Sequence, residues 1–329
     1  MRAGIDIGTN SVRLLVLADD GSELARTATV TGLGRGLADG LLHPDSVART
    51  IDGVSGAVAE AARVGLVIGP SNTRITATSA ARDARNGAEL LDAIQSLCGV
   101  RPEVLSGQAE GSLAWAGAMS ELPTTAPVAP DADLARGALD QPVRLDQLAQ
   151  PGLLALIDIG GGSTEFVVGH VGSEPLGAIS IDVGCVRLTE RFLTSDPPTA
   201  VQLSSLIGVV HAHLDDVQRE LPAVDDATRF VGVAGSIITV AAVELGRYDR
   251  DAIHGMWLSR AAAEDVFRTL AQEKSVDRGF NPGLHPDRVG TIVAGAAILV
   301  TVMRHFDLPG IQVSQSDLLD ALARSALRA

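Results

Sequence analysis

A short motif that occurs twice in this 329-residue chain limits its possible folds more than any other feature. Each copy is a strand-like apolar run that ends in Asp-Ile-Gly, then a turn of small and hydroxyl residues, then a second strand-like run. The copies occupy residues 3–17 and 153–168. Because the chain returns as a strand rather than entering a helix, neither copy is a Rossmann or Walker phosphate loop. A supersecondary unit that opens each half of the chain predicts two similar domains.

The turns of the two copies have the chemistry of anion-binding sites. Glycines let the backbone turn tightly and bring N–H groups close to an anion, and hydroxyl side chains add donors. Two such turns facing each other across a cleft would hold a phosphate chain from both sides. The alternative is that both are ordinary tight β-turns. The candidate phosphate-binding residues are Gly8, Thr9, Asn10 and Ser11 in the first turn and Gly160, Gly161, Gly162 and Ser163 in the second.

An aspartate precedes each turn. Asp158 ends a continuous apolar run, which is typical of a strand buried on both faces. An ionised carboxylate at such a place is costly, so Asp158 needs a cation, a metal-bound water or several hydrogen-bond donors. Asp6 holds the corresponding position in the first copy.

The charge composition excludes several kinds of ligand site. The formal net charge is −14, and Lys274 is the only lysine. Such an acidic chain argues against a general nucleic-acid-binding protein, and the lysine of a P-loop is excluded. A polyanionic ligand must be held by local arginines, helix N-termini or metal ions. One arginine, Arg35, is carried by a predicted flexible, glycine-rich loop at residues 32–36.

The apolar segments predict a cytoplasmic protein without a membrane span. Asp6 interrupts the amino-terminal apolar run, so no signal peptide is expected. The longest apolar window, residues 292–303, is shorter than the roughly 20 residues that a span requires. Cys98 and Cys185 lie in apolar stretches without ligand-like spacing and are expected to be buried, reduced thiols.

Length and composition also predict two domains. The chain is longer than the roughly 250 to 300 residues that one hydrophobic core usually supports. Residues 122–152 are rich in proline and alanine and are predicted to form a linker or insertion between the halves.

Three further places combine a strand end with polar residues. Residues 78–83 include Arg82 and suit anion binding, although a helix cap with a surface arginine is the alternative. Glu110 lies early in a predicted helix, where either dipole stabilisation or catalysis would explain it. Gly235 and Ser236 begin a helix after a buried strand and are candidates for a phosphate or nucleotide contact.

Together these motifs resemble the exopolyphosphatase and guanosine-pentaphosphate phosphohydrolase family, within the superfamily of actin, the sugar kinases and the heat-shock chaperone ATPases. The resemblance covers nearly the whole chain and keeps the family's order. The residues that carry it are 4–11, 77–83, 106–110, 158–165, 184–187 and 234–236.

The resemblance implies an α/β fold of two ribonuclease H-like (actin-like) domains, each of β-β-β-α-β-α-β-α order, with an interdomain cleft. In this superfamily the chain crosses between the domains twice. Domain I is therefore expected to consist of residues 1–121 and 314–329, and domain II of residues 153–313. The last helix is expected to pack back on domain I.

The resemblance also implies roles for individual residues. Glu110 matches a catalytic glutamate that activates the attacking water. Asp158 and Glu165 match acidic positions that help to hold Mg²⁺ and the water, and Arg82 matches an arginine that faces the phosphate chain. The implied catalytic residues are therefore Glu110, Asp158 and Glu165, and the candidate metal ligands are Asp6, Asp158 and Glu110, with Mn²⁺ as an alternative to Mg²⁺.

The chain departs from the family pattern in two places, and only the second bears on the length of the substrate. The family commonly has Ser-Gly-x-Glu-Glu, and here the first of the two acidic residues is Ala109. Near the carboxyl terminus many members have Ser-x-x-Gly-Leu-Arg-Glu-Gly, whereas this chain has Asp317 in place of the first Gly and Leu319 in place of the Arg. The chain resembles the short members, which lack the C-terminal helical domains that help to hold long polymers in larger relatives.

The leading prediction is a Mg²⁺-dependent exopolyphosphatase that releases terminal orthophosphate from inorganic polyphosphate by attack of a water activated by Glu110. The alternatives are a phosphohydrolase of guanosine pentaphosphate, with a (p)ppGpp-type nucleotide as its partner, and an ATP-dependent kinase or ATPase of the same superfamily. A non-catalytic sensor of phosphate polymers is a further class, and the intact Glu110 argues against it. No nucleic-acid or membrane partner is expected, and a homodimer is expected.

Overall fold

The computed structural model describes residues 1–121 and 152–326, so the predicted linker lies outside the described residues except for Gly152. The strands are β1 (Arg2–Ile7), β2 (Ser11–Leu17), β3 (Glu23–Val30), β4 (Thr73–Ala77), β5 (Glu103–Val104), β6 (Leu154–Ile159), β7 (Thr164–Gly169), β8 (Gly177–Ile181), β9 (Arg229–Val233), β10 (Trp257–Ser259) and β11 (Gly310–Val313). The helices are α1 (Pro44–Arg63), α2 (Ser79–Asp83), α3 (Gly87–Cys98), α4 (Gly107–Met119), α5 (Cys185–Phe192), α6 (Ala200–Glu220), α7 (Ala234–Leu245), α8 (Arg250–Ile253), α9 (Arg260–Gln272), α10 (Ser275–Arg278), α11 (Ile292–His305) and α12 (Leu318–Ser325).

The strands form two sheets with the same internal order. The first sheet has the order β3-β2-β1-β4-β5, in which β1 to β3 are antiparallel neighbours and β4 and β5 run parallel to β1. The second sheet repeats this order as β8-β7-β6-β9-β11 and adds β10 at its edge. The predicted pair of actin-like α/β domains is thereby confirmed, with short extra helices and β10 added to the predicted element order.

The central strands follow from their sequences. Every residue of β6 is buried, and so are five of the six residues of β1, because both strands are covered on two faces. Helix α11 is buried along residues 292–303 and packs against α5, α6, α7 and α9 in the core of the second domain. The apolar window at its start is therefore a buried core helix. No helix of the described residues is long and apolar enough to cross a membrane.

Two helices lie on the sheet of the opposite half of the chain. Helix α12 packs on β1, β2 and β4 of the first sheet, and α4 packs on β6, β7 and β8 of the second, while the two helices also contact each other. The division into domain I (1–121 and 314–329) and domain II (153–313) stays a proposal. Helix α12 contacts the first sheet, whereas α4 contacts the second.

Glycines allow helix α4 to lie unusually close to its neighbours. A Cβ atom on Gly117 would overlap the backbone oxygen of Asp317 at the start of α12, and one on Gly107 would overlap Ser180 in β8. A Cβ atom on Gly111 would lie 2.9 Å from Val167 in β7. This close packing fixes where the first turn of α4, and hence Glu110, meets the second sheet.

Candidate active site

The two predicted phosphate turns have the same geometry and lie against each other. The backbone N–H of Gly8 donates to the Ser11 carbonyl at 2.9 Å, and that of Gly160 donates to the Ser163 carbonyl at 3.0 Å. A Cβ atom on Gly161 would lie 3.0 Å from Cβ of Thr9, so the backbones of the two turns approach closely. Both turns stand at strand ends of their sheets, where parallel α/β sheets commonly bind ligands.

A cavity of about 70 Å³ lies between the turns. It is small beside the roughly 300 to 1,000 Å³ of most ligand pockets, which reflects the close approach of the two halves. Most of the predicted site residues line it, including one or more from both strand turns, from α4 and from the start of α7. The lining residues are Asp6, Gly8, Thr9, Asn10, Ser11, Arg13, Thr78, Ser79, Glu110, Asp158, Ile159, Gly160, Gly161, Gly162, Ser163, Ala234, Gly235, Arg288 and Leu318.

The register of the two hairpins sets which charged groups face the aspartates. Asp6 is paired across β1 and β2 with Arg13, and Asp158 is paired across β6 and β7 with Glu165. The Arg13 guanidinium donates to Asp6 at 2.8 Å and also forms an ion pair with Asp317, the N-cap of α12. The first aspartate therefore has a cationic partner, whereas the second has a carboxylate beside it.

Glu110 reaches the site from the first turn of α4. Ser106 caps this helix by accepting from the Ala109 N–H at 3.2 Å. The Glu110 carboxylate is 13% exposed, its nearest cation is Arg82 at 3.7 Å, and its Oε2 is buried with no hydrogen-bond partner. A carboxylate oxygen left without a donor at a cavity wall is available to a water or a ligand.

Burial and mutual repulsion raise the pKa values of the carboxyl groups in this cluster. Burial, and then the charges of Glu165 and Asp158, raise the pKa of Glu110 well above its usual value. Burial, and then Glu165, raise the pKa of Asp158 well above its usual value. Burial raises the pKa of Glu165 to about 7, against hydrogen bonds that lower it. Burial also raises the pKa of Asp6, although Arg13 opposes the shift. Such shifts are common where several acids share one functional site.

Three predicted site residues do not line the cavity. Glu165 lies beside Asp158, and its Oε1 accepts from the Ser180 hydroxyl at 2.7 Å. Arg82 donates to the Leu105 carbonyl at 2.7 Å and stands next to Glu110. Ser236 is buried against α11, where a Cβ atom on Gly295 would lie 2.8 Å from its hydroxyl. The structure therefore brings Arg82 and Glu165 to the edge of the site and places Ser236 in the helix packing.

Several cavity residues were not singled out by the sequence. Arg13 lies on a strand already predicted, and period-two alternation would have placed it opposite Asp6. No sequence pattern predicts Arg288 at this site, because it reaches the cavity from the short 3₁₀ segment Pro286–Arg288. Its guanidinium lies so close to Gly235 that a Cβ atom there would overlap it, and burial lowers the pKa of Arg288.

Two unsatisfied groups indicate that the cavity is made for a polar ligand. Both amide atoms of Asn10, which is 5% exposed, are buried without a hydrogen-bond partner among the described residues, and so is Oε2 of Glu110, which also lines the cavity. Buried polar atoms are nearly always paired in folded proteins, so unpaired ones at a cavity wall mark a place for water or a ligand. Donors from the turns would bind phosphate oxygens, and the carboxylates would bind a cation or a water.

Comparisons with known proteins identify the family of this chain. The model of the Ppx/GppA phosphatase family matches residues 19–135 and 146–321. Exopolyphosphatase 2 of Mycobacterium tuberculosis is 33% identical over 348 residues, which cover 98% of this chain and 97% of the relative. The crystal structure of an exopolyphosphatase-like protein superposes with a TM-score of 0.85 and 29% identity, covering 99% of this chain and 98% of that one.

The PPX-GPPA enzyme of Aquifex aeolicus has a TM-score of 0.71 and 26% identity, with 97% of each chain covered. The family match extends over most of the described residues, and the solved relatives share both domains. The chain belongs to the Ppx/GppA phosphatase family and is a hydrolase of phosphoric anhydrides.

Proposed function

We propose that this protein is a Mg²⁺-dependent exopolyphosphatase that removes terminal orthophosphate from inorganic polyphosphate. The exopolyphosphatase relatives support hydrolysis of polyphosphate. One observation supports removal of the terminal phosphate at this site: both phosphate turns, Asp158 and Glu110 line the same cavity. This arrangement can grip a phosphate group on two sides and place a carboxylate beside it.

In this proposal Glu110 is the general base. A water molecule attacks the terminal phosphorus atom, and Glu110 accepts a proton from that water. The bond between the terminal phosphorus and the bridging oxygen breaks, which releases orthophosphate and leaves a polymer shorter by one phosphate, with the negative charge on its new terminal oxygen. Oε2 of Glu110 accepts no hydrogen bond from the described residues, with Arg82 as its nearest cation at 3.7 Å, and this supports the role because a base needs an oxygen that can accept a proton from the water.

The turns and arginines are proposed to position the substrate. The residues Gly8 to Ser11 and Gly160 to Ser163 would donate hydrogen bonds to the terminal phosphate from opposite sides. Arg288 lies at the cavity wall beside Gly235 and would add a positive charge. Phosphoryl transfer depends mainly on such positioning and on stabilisation of charge.

The carboxylates fit a divalent cation held jointly with substrate. Within residues 1–121 and 152–326, no group of three or more His, Cys, Asp or Glu side chains is arranged to hold a metal ion. Mg²⁺ often needs only one or two carboxylates, with waters and phosphate oxygens as its other ligands. Asp158 would be such a ligand, with Asp6 and Glu110 nearby, since burial beside other acids disfavours its charge until a cation is present. When bound, Mg²⁺ would neutralise charge on the phosphate oxygens.

Hydrolysis of guanosine pentaphosphate is the second candidate, because its terminal phosphate would meet the same groups. A kinase or ATPase would need an adenosine pocket near residues 232–236, and the packing there argues against one. A Cβ atom on Gly232 would lie 2.7 Å from Ile311 and 2.8 Å from Ile237, and Arg288 covers Gly235.

The test is phosphate release from polyphosphate, guanosine pentaphosphate and ATP at equal concentrations of phosphoanhydride ends. We expect polyphosphate to be hydrolysed with the highest kcat/KM, and a chelator of divalent cations to abolish release until Mg²⁺ is restored. A higher kcat/KM for guanosine pentaphosphate would replace the first candidate with the second. Release from ATP alone would refute both.

A further inference from the structure

The glycine-rich loop at residues 32–36 is fastened to the first phosphate turn. The N–H groups of Thr31 and Gly32 both donate to the Asn10 carbonyl, at 2.9 and 3.0 Å, and the Gly34 N–H donates to the Thr9 carbonyl at 2.8 Å. The loop follows β3, which pairs with β2, so it leaves the sheet at the same end as the turn. Its position relative to the turn is therefore fixed by backbone hydrogen bonds.

The side chain of Arg35 folds back over Gly32 of this loop. Gly32 has a φ of +61°, and a Cβ atom there would lie 2.6 Å from Nε and 2.8 Å from Cδ of Arg35. The Arg35 side chain thus covers the face of Gly32 that a side chain would otherwise occupy. Gly32 is also the residue whose N–H is bonded to Asn10. This places the stem of an arginine next to the first phosphate turn, outside the cavity.

The guanidinium of Arg35 is exposed and uncommitted. Within the part of the chain that the structure describes, it forms no hydrogen bond and no ion pair. Three other arginines around the cleft are engaged: Arg13 with Asp6 and Asp317, Arg82 with the Leu105 carbonyl, and Arg187 with Asp83 at 2.7 Å and the Gly162 carbonyl at 2.8 Å. Arg288 lines the cavity itself, where it would meet the terminal phosphate, so Arg35 is the free arginine outside the cavity among these five described arginines. A free cation beside the site is notable in a chain of net charge −14, because a polyanion gains little from the rest of the surface.

Asn10 connects the cavity to this cation. Its side-chain amide lines the cavity and has no partner, so a phosphate oxygen is the kind of acceptor that it lacks. Its backbone carbonyl holds Gly32, over which Arg35 lies. A phosphate chain whose end reaches Asn10 would therefore pass the loop with its next groups.

We propose that Arg35 is a specificity-determining residue that binds internal phosphates of the substrate and so favours long polymers over short ones. The inference rests on the proposed function, since it assumes that the terminal phosphate lies between the two turns. Arg35 binds the polymer but takes no part in the chemical step. The interaction is electrostatic and exposed to solvent, so the contribution of Arg35 to polymer binding should weaken as the salt concentration rises.

The test compares Arg35→Gln with Arg35→Lys and with Arg268→Gln, a control that removes an exposed arginine from α9, outside the cleft. With long-chain polyphosphate, Arg35→Gln should raise KM roughly 5- to 10-fold at low salt and leave kcat unchanged. With tripolyphosphate, its KM should change less than twofold. Arg35→Lys should have a KM close to that of the wild type, and Arg268→Gln should have the wild-type KM. High salt should reduce the difference between Arg35→Gln and the wild type.

An unchanged KM for long polymers in Arg35→Gln would overturn the proposal. An increase in KM for tripolyphosphate as large as the increase for long polymers would also overturn it, because it would place Arg35 at the reacting phosphate. A wild-type protein that releases no phosphate from any polyphosphate would instead refute the proposed function. In that case the affinity for long-chain polyphosphate, measured by calorimetry, decides about Arg35: weaker binding by Arg35→Gln is expected, and equal binding contradicts the proposal.

Discussion

Replacement of Glu110 by Gln is expected to lower the rate of phosphate release about 10²- to 10⁴-fold. The substitution keeps the shape of the side chain and the helix around it, but the amide cannot accept a proton from the attacking water. Binding of polyphosphate should be kept or strengthened, because one negative charge near a polyanion is removed. The measurement is kcat from steady-state phosphate release, with polymer affinity measured separately.

The pH dependence of the rate is an independent test of Glu110 as the general base. Glu110 acts as a base only when ionised, and burial with neighbouring acids raises its pKa well above the usual value. The wild-type rate should therefore rise with pH over a range that lies well above pH 4.5. A bound cation would lower the pKa of Glu110 and move this rise to lower pH. In Glu110→Gln the part of this rise due to Glu110 should be absent.

A melting curve separates this role from a purely structural one. If Glu110 only stabilised the helix dipole, the variant would lose about 0.3 to 1 kcal/mol of stability and retain its turnover. Near-normal turnover in a folded Glu110→Gln protein would remove Glu110 from the mechanism and leave Asp158 or Glu165 as the candidate base.

Gly162→Ala should reduce kcat/KM about 10²-fold while the protein remains folded. A Cβ atom at this position would overlap the Ser79 hydroxyl and lie 2.8 Å from Oγ1 of Thr9. The second turn must then move away from the first, and a displacement of about 1 Å at a phosphoryl-transfer site costs about this much. The measurement is kcat/KM for polyphosphate beside the thermal midpoint of unfolding.

Two further variants test whether the collision is the cause. Gly208→Ala in α6 adds a methyl group where no atom lies within 4 Å, and it should leave kcat/KM unchanged. Ser79→Gly removes the nearer of the two hydroxyls that the new methyl group would strike and leaves Thr9 in place, so Gly162→Ala combined with Ser79→Gly should recover part of the activity lost by Gly162→Ala alone. A double variant no more active than Gly162→Ala would show that the methyl group acts in some other way.

The sequence was most informative where the chain repeats itself. The two Asp-Ile-Gly hairpins predicted paired sheets with matching turns, because a strand that ends in Asp and glycine and returns as a strand has few other structures. The same pattern identified the residues of both turns that line the cavity. The local order of strand and helix placed Glu110 early in a helix but left its role open, and the resemblance to the family implied catalysis; the structure places this residue at the cavity wall.

What the sequence did not reveal depends on contacts between distant segments. Arg13 and Asp317 are 304 positions apart and meet only because α12 packs on the first sheet. The departure of Asp317 from the family pattern thus has a structural partner that could not be predicted locally. Ser236 was assigned to the phosphate site from its place after a strand, but the direction of its side chain in α7 was set by packing against Gly295.

The most direct measurement of the central claim is the fate of oxygen in hydrolysis of polyphosphate in ¹⁸O-enriched water. Attack of water on the terminal phosphorus predicts a single ¹⁸O atom in each orthophosphate at release and none in the remaining polymer. Mass spectrometry of both products reads this result. Label at the end of the polymer, with unlabelled orthophosphate, would mean attack on the penultimate phosphorus and would contradict a site in which Glu110 directs water at the phosphate held between the two turns.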